Sequence, residues 1–325
     1  MSGSNGWRTC LRSVLVFSAL VALGGRAGAS SLHCGDTLGA GSYLLETDLD
    51  CPSNSGAGVG LYLTSGAKLD LGGHSIRMSI AGSGNALDIT GTGVRVHGGA
   101  LGPASWAVSI HGGGHHRLWD LQISGNNSGI VLQDTRDNVI SDSQLEDNAV
   151  YGVYLGNATG NRFERLVIDD TSGIGPSAGI QLKDSDDNVI TQSTVTRSLC
   201  TGINLDDSSR NSVSFNVVQG TYSFFTGGPA VNVLVYGSSS GNRIFGNQVS
   251  STAPGTYDGI NVGCRDNCVC GFQTPTTGAS GNLVLGNRAN DEDRYGFAEA
   301  PGNPKNLFLL NQATGNGVAN DALGP

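Results

Sequence analysis

Lysine is almost missing from this chain. Lys68, Lys183 and Lys305 are its only lysines in 325 residues, and lysine plus arginine total 18 against 27 acidic residues, a net charge of −9. So few cations give phosphate backbones little to hold, which argues against nucleic acid as a partner. Charged residues of both signs make up 14% and aromatics 6%. Beyond the first 30 residues no apolar run is long enough to cross a bilayer, so no membrane span is expected. Also lacking is any helical run long enough to cross over between parallel strands. What the chain has in quantity is Gly, 51 residues of it, with Asn, Ser and Asp.

Residues 1–29 read as an export signal. Arg8 and Arg12 precede the apolar stretch "SVLVFSALVALGG", and Ala27-Gly28-Ala29 offers small residues for cleavage before Ser30. Removing this leader removes three arginines and no acids, leaving 15 basic against 27 acidic residues, a balance of −12. A secreted, periplasmic or cell-surface protein is expected.

The remainder repeats. "DNVISDSQLEDN" at 137–148 returns as "DNVITQSTVTRS" at 187–198. Aligned on their asparagine, Asn138, Asn161, Asn188, Asn211, Asn242, Asn282 and Asn306 each precede by two positions an apolar residue: Ile140, Phe163, Ile190, Val213, Ile244, Val284 and Phe308. Seven positions on stand Leu145, Ile168, Val195, Val218, Val249, Ala289 and Ala313. Upstream, "GIVL", "GVYL", "GIQL" and "GINL" keep a fixed distance from the asparagine. Short alternating strands broken by Gly, Asn, Asp and Ser at this period cannot each bury a face alone and must stack. The economical solution is an all-β, single-stranded parallel β-helix of about 10–12 coils, with equivalent residues in columns about 4.8 Å apart. An inward asparagine then bonds its equivalent one coil away, so the Asn signature reads as a structural ladder.

"LDLGGHSI" (69–76), the cysteine-bounded "CGDTLGAGSYLLETDLDC" and the run of "GIxL…N-x-[VI]" coils resemble the secreted right-handed parallel β-helix repeat proteins of the pectin-lyase-like fold, which include the NosD-like periplasmic proteins. The resemblance spans residues 34–325 and implies a single β-helix domain over 30–325, with a cap at 30–58 and a cysteine-containing insertion at 263–281. It is specific for fold rather than activity. The "DPH" of mannuronan epimerases, the "GHG" and "RIK" of polygalacturonases, the Arg-x-x-Pro-x-x-Arg of pectate lyases and "GGxGxD" calcium repeats do not occur.

In an oxidising compartment Cys34 and Cys51 would close a short loop, while Cys200, Cys264, Cys268 and Cys270 allow three pairings. "CRDNCVC" lacks zinc-ribbon spacing, and the histidines of "HGGGHH" point in different directions, so no metal centre is expected. His74 reads as an interior histidine, and His116 takes the place of a ladder asparagine.

Three outward columns carry possible chemistry. Asp184 and Asp207, with Lys183, stand on adjacent coils at carboxylate spacings that suit glycosidic chemistry, and their acidic column is the one place that suits Ca²⁺; no other cofactor is expected. Their bland role is to make the turn. Arg95, Arg117 and Arg162, with Trp119, suit a uronate carboxylate and a sugar face. Tyr222 and Tyr257 lie in loops, beside Phe224 and Phe225. The expected partner is thus polysaccharide, uronate-containing, bound or processed at the lateral face. The alternatives are a lyase, epimerase or hydrolase of an unfamiliar branch, a non-catalytic surface protein, or a NosD-like periplasmic maturation factor. Against the last stand just two methionines, Met1 and Met78.

Overall fold

A computed structural model describes residues 31–52, 58–173, 177–223, 229–251, 257–265, 268, 274–303 and 305–323. The leader expected at 1–29 lies outside them. Over Leu32–Pro325 the described residues hold strands and turns and no helix.

Each coil contributes one strand to a 12-stranded parallel sheet that begins at Asp36–Leu38 and ends at Ala319–Ala322. Two shorter strands per coil build the other walls, and they merge into one long strand where Arg95–Leu101 and Arg117–Ser124 run through the bend. Within the segment expected as a cap at 30–58, Asp36–Leu38, Gly41–Leu44 and Leu49–Cys51 all pair with the next coil. The Cys34–Cys51 disulfide, Cα–Cα 5.5 Å, spans them across 17 residues. Closing such a loop is worth about 3 kcal/mol in the chain-entropy account.

The register turns the sequence period into columns. In the 12-stranded sheet Val153, Ile180, Ile203, Val233 and Ile260 stack inward. Opposite stand Ile140, Phe163, Ile190, Val213 and Ile244, and on the third wall Leu145, Ile168, Val195, Val218 and Val249. All are buried. The glycine of the "GI" strands follows from the narrow lumen. A Cβ on Gly179 or Gly202 would run into the Cγ1 methyl of Val195 or Val218, so the first and third walls approach too closely for any side chain there.

Asparagines fill the corners. The Oδ1 of Asn188 accepts from the backbone N–H of Asn161 at 2.8 Å and from its Nδ2 at 2.9 Å. The same double bond links Asn138 to Asn161, Asn188 to Asn211, Asn211 to Asn242, Asn242 to Asn282 and Asn282 to Asn306. Asn216, Asn247, Asn287 and Asn311 form a second such column. His116 occupies the first column one coil before Asn138: its Nδ1 accepts from Val94 N–H at 3.1 Å, and burial pushes its pKa down to about 4. His74, by contrast, is not interior. It stands half-exposed, 3.5 Å from an Asp48 oxygen, in the glycine turn between the strands Ala67–Asp70 and Ser75–Met78 rather than on an inward strand position.

Cys200 is disulfide-bonded, whereas Cys264 and Cys268 are buried thiols rather than members of a cystine. The backbone N–H of Cys268 donates to Cys264 Sγ at 2.7 Å, and both side chains belong to a small apolar cluster with Leu199, Val231 and Leu234, separate from the lumen core. Cys270 lies outside the described residues.

Candidate functional site

The acidic column resolves into corner geometry. Asp134, Asn157, Asp184 and Asp207 all hold left-handed backbone, φ 47–51°, a conformation Asp and Asn tolerate better than other side chains. Lys183 ends its strand and reaches forward one coil, where its Nζ donates to Asp207 Oδ2 at 2.5 Å and sits 3.3 Å from Asp206 Oδ1. The other Asp207 oxygen accepts from Ser238 N–H. Lys183 and that amide hold the Asp207 carboxyl below its usual range, whereas burial outweighs Lys183 at Asp206 and raises it. Burial opposes the Lys183 charge, but Asp207 and Asp206 together carry it up to about 12. Asp184 stays outside this cluster and is exposed. The expected Asp184–Asp207 pair is thus replaced by Asp206–Lys183–Asp207, and both Asp207 oxygens are already engaged.

The aromatic loop column divides. Tyr257 is buried, 2% exposed, and cannot meet a polysaccharide. It fills the start of its strand because burial there offers more than a solvent-facing ring gains. Tyr222 packs against the outer apolar cluster, and Phe224 and Phe225 lie outside the described residues. Asp258, beside Tyr257, is fully buried and lies 3.3 Å from Arg294 Nε.

The arginine column keeps its chemistry exposed. Strand register places Lys68, Arg95, Arg117, Val139 and Arg162 one per coil on the outer wall. Two residues on, in the same register, come Asp70, His97, Trp119, Ser141 and Glu164. A cleft of about 290 Å³ opens between them, lined by Arg95, Arg117, Trp119, Val139, Ser141 and Glu164. Arg162 leaves the cation row by pairing with Glu164 at 2.6 Å. Burial works to raise the Glu164 carboxyl, but Arg162 and Arg165 outweigh it and hold it ionised. Among the described residues Arg95 and Arg117 make no ion pair and no side-chain hydrogen bond. Trp119 stacks on His97, ring centroids 4.5 Å apart and planes 23° from parallel.

The cleft therefore joins two uncommitted guanidinium groups, an aromatic face, a small hydroxyl and one carboxylate. In chemical type such a set suits a polar ring that carries an acid group. Ser141 and Glu164 were not among the sequence candidates, since strand spacing alone does not show that the small side chain at 141 leaves a gap.

No curated protein matches the chain. Among solved structures it is similar to the enzymatically active domain of bacteriophage CBA120 tailspike protein 2, with TM-score 0.60 and 10% identity over 85% of this chain. It spans about half of that structure, 48%. It is similar to the alginate lyase of Paenibacillus sp. str. FPU-7, TM-score 0.54 and 16% identity, covering 89% of this chain and 99% of that one. The periplasmic alginate epimerase AlgG gives TM-score 0.52 and 14% identity, covering 87% and 76%. At these identities the likeness is one of fold. A family profile described as "Periplasmic copper-binding protein (NosD)" matches residues 51–265. The described residues do not fit copper: no three His, Cys, Asp or Glu side chains converge on one point, and Met78 is buried in the lumen core. With that profile matched over well over half of its length and a parallel β-helix throughout, the chain belongs to the NosD family.

Proposed function

We propose that this protein is an exported β-helix that binds acidic polysaccharide on its outer wall, at the cleft of Arg95, Arg117 and Trp119. One observation carries the reading: in a chain with 27 acids and 18 bases, two guanidinium groups on adjacent coils carry no carboxylate partner and stand beside a half-buried indole. Several other surface arginines are neutralised, as Arg165 is by Asp142 and Arg210 by Asp187, while exposed Arg243 and Arg288 also stand without a carboxylate partner among the described residues but have no indole beside them. Two unpaired cations on adjacent coils draw an external anion toward the cleft. The solved structures it is similar to include a lyase and an epimerase named for alginate, a polysaccharide, which agrees with the proposed ligand class.

The test is a panel of uronate-containing and neutral polysaccharides, with and without Ca²⁺, read by binding retardation and by product formation. Retardation by the acidic polymers is expected. Arg117→Gln and Trp119→Ala are each expected to weaken it roughly tenfold, the equivalent of about 1.4 kcal/mol. Equal retardation by neutral polymers, or retardation unchanged in both variants, sinks the reading.

A second reading, cleavage of the polysaccharide, is favoured by one observation: Asp206 and Asp207 share Lys183 while their acidities move in opposite directions, the pattern of an acid and base pair. Products that vanish in Asp206→Asn but persist in Trp119→Ala would establish it.

A further inference from the structure

The proposed cleft has a shape that restricts how a glycan enters it. The register stacks His97, Trp119, Ser141 and Glu164 in one column on four successive coils. His97 and Trp119 are a stacked pair with their rings nearly parallel, and their 4.5 Å centroid separation is the coil spacing itself. The ring planes therefore lie across the solenoid axis. On the next coil the column offers Ser141, whose side chain is too small to continue the stack, and the coil after that closes the gap with Glu164 held by Arg162 and Arg165. The cleft lined by Trp119, Ser141 and Glu164 is the missing third ring of an aromatic column.

We infer that the cleft is a slot for a single pyranose ring of a uronic acid, inserted over Ser141 with one face on Trp119. Its carboxylate meets Arg117, with Arg95 one coil behind, and its hydroxyl edge meets Glu164, an ionised acceptor. The inference rests on the glycan-binding reading and adds to it the pose. A pyranose ring lies roughly along its own polymer, so a ring held across the solenoid axis makes the glycan cross the β-helix at this coil. It does not follow the row of Lys68, Arg95 and Arg117 along the axis. One sugar then makes most of the contact.

The experiment titrates full-length mature protein with a mono-, a di- and a tetrauronate, following tryptophan emission and calorimetric heat, for the wild type and for Ser141→Phe, Lys68→Gln and Trp119→Ala. The slot predicts that the monouronate binds and shifts the emission, and that affinity rises no more than about twofold from mono- to tetrauronate, a statistical gain rather than added subsites. Ser141→Phe, which supplies the third ring itself, is expected to abolish binding of all three ligands, and Lys68→Gln to leave it unchanged. Should affinity climb about tenfold with each added sugar and drop in Lys68→Gln, the glycan lies along the axis and the slot is wrong, while the cleft remains a glycan site. Should no uronate of any length bind the wild type, the glycan reading itself falls. If Ser141→Phe unfolds, judged by circular dichroism, the length series on the wild type decides alone.

Discussion

A buried side chain here is judged by what its column supplies. Asn188 accepts two bonds from Asn161 and donates to Asn211, to the Ala158 carbonyl and to the Asp186 carbonyl. Asn188→Ala leaves those donors and acceptors buried without partners, which costs roughly 2–4 kcal/mol; equilibrium urea unfolding measures it, and a loss below about 1 kcal/mol contradicts the ladder's role. Glu292 is the opposite case, a carboxyl inside the polar corner, 1% exposed, with Asn232 Nδ2 on one oxygen at 2.9 Å. Burial raises its pKa to about 8. Unfolding lets it ionise at its ordinary value near 4.5, so between the two values the folded state holds a proton that the unfolded state has lost. Stability must then fall as pH rises through that window, by up to about 1.4 kcal/mol per unit from this group. Comparing thermal midpoints of the wild type and Glu292→Gln from pH 5 to 8 checks this: the gap in the variant's favour is expected to widen with pH, and a constant gap contradicts it.

Strands in this protein are three to eight residues long and owe their place to the strands above and below. The glycine of each "GI" strand is the clearest case, because its missing side chain makes room for a valine on the facing wall. Gly179→Ala is expected to cost about 1–3 kcal/mol through overpacking against Val195. In a Val195→Ala background the same change should cost much less, so the double-mutant cycle should show strong coupling; additive losses would mean the walls do not touch as described. This level of organisation is legible in the sequence. The Asn spacing, the aliphatic pair that follows it and the upstream glycine each mark a wall or a corner, and the outer positions of Arg95, Arg117 and Trp119 follow from the same frame. What lies over the outer faces is not legible. Tyr257 reads as a loop aromatic until packing buries it, and Cys264 and Cys268, expected among the three possible disulfide pairings, stand side by side as thiols. Glu292 sits in "NDEDRYG", which resembles a solvated turn, and only the neighbouring coils show that its position faces inward. Asp206 and Ser141 escape notice for a related reason: sequence gives a residue its column but not the reach of Lys183 or the gap beside an indole.

At the scale of the molecule each coil touches only its neighbours, so protection should vary along the axis. The coil at 307–322 meets no further coil among the described residues, and Leu310 there is 84% exposed while Phe308 and Ala313 are only partly buried. Native-state hydrogen exchange should show its amides opening first and those of Ile190, Val195, Ile203 and Val213 opening last. Uniform protection along the chain would require a coupling longer in range than coil-to-coil contact.

The ladder also has a direction. From Asn138 to Asn282 every backbone N–H and side-chain amide donates to the oxygen of the asparagine on the following coil, and from Asn188 on the side-chain amide also donates to a backbone carbonyl of the preceding coil. A coil that has formed thus presents a ready pair of donors, and the next asparagine to arrive meets them with one oxygen while its own amide bonds a carbonyl of the coil behind it. Growth from the coil of Asn138 toward the last thus adds an acceptor to a waiting edge, which makes the finished part of the ladder a template for the part still being laid down.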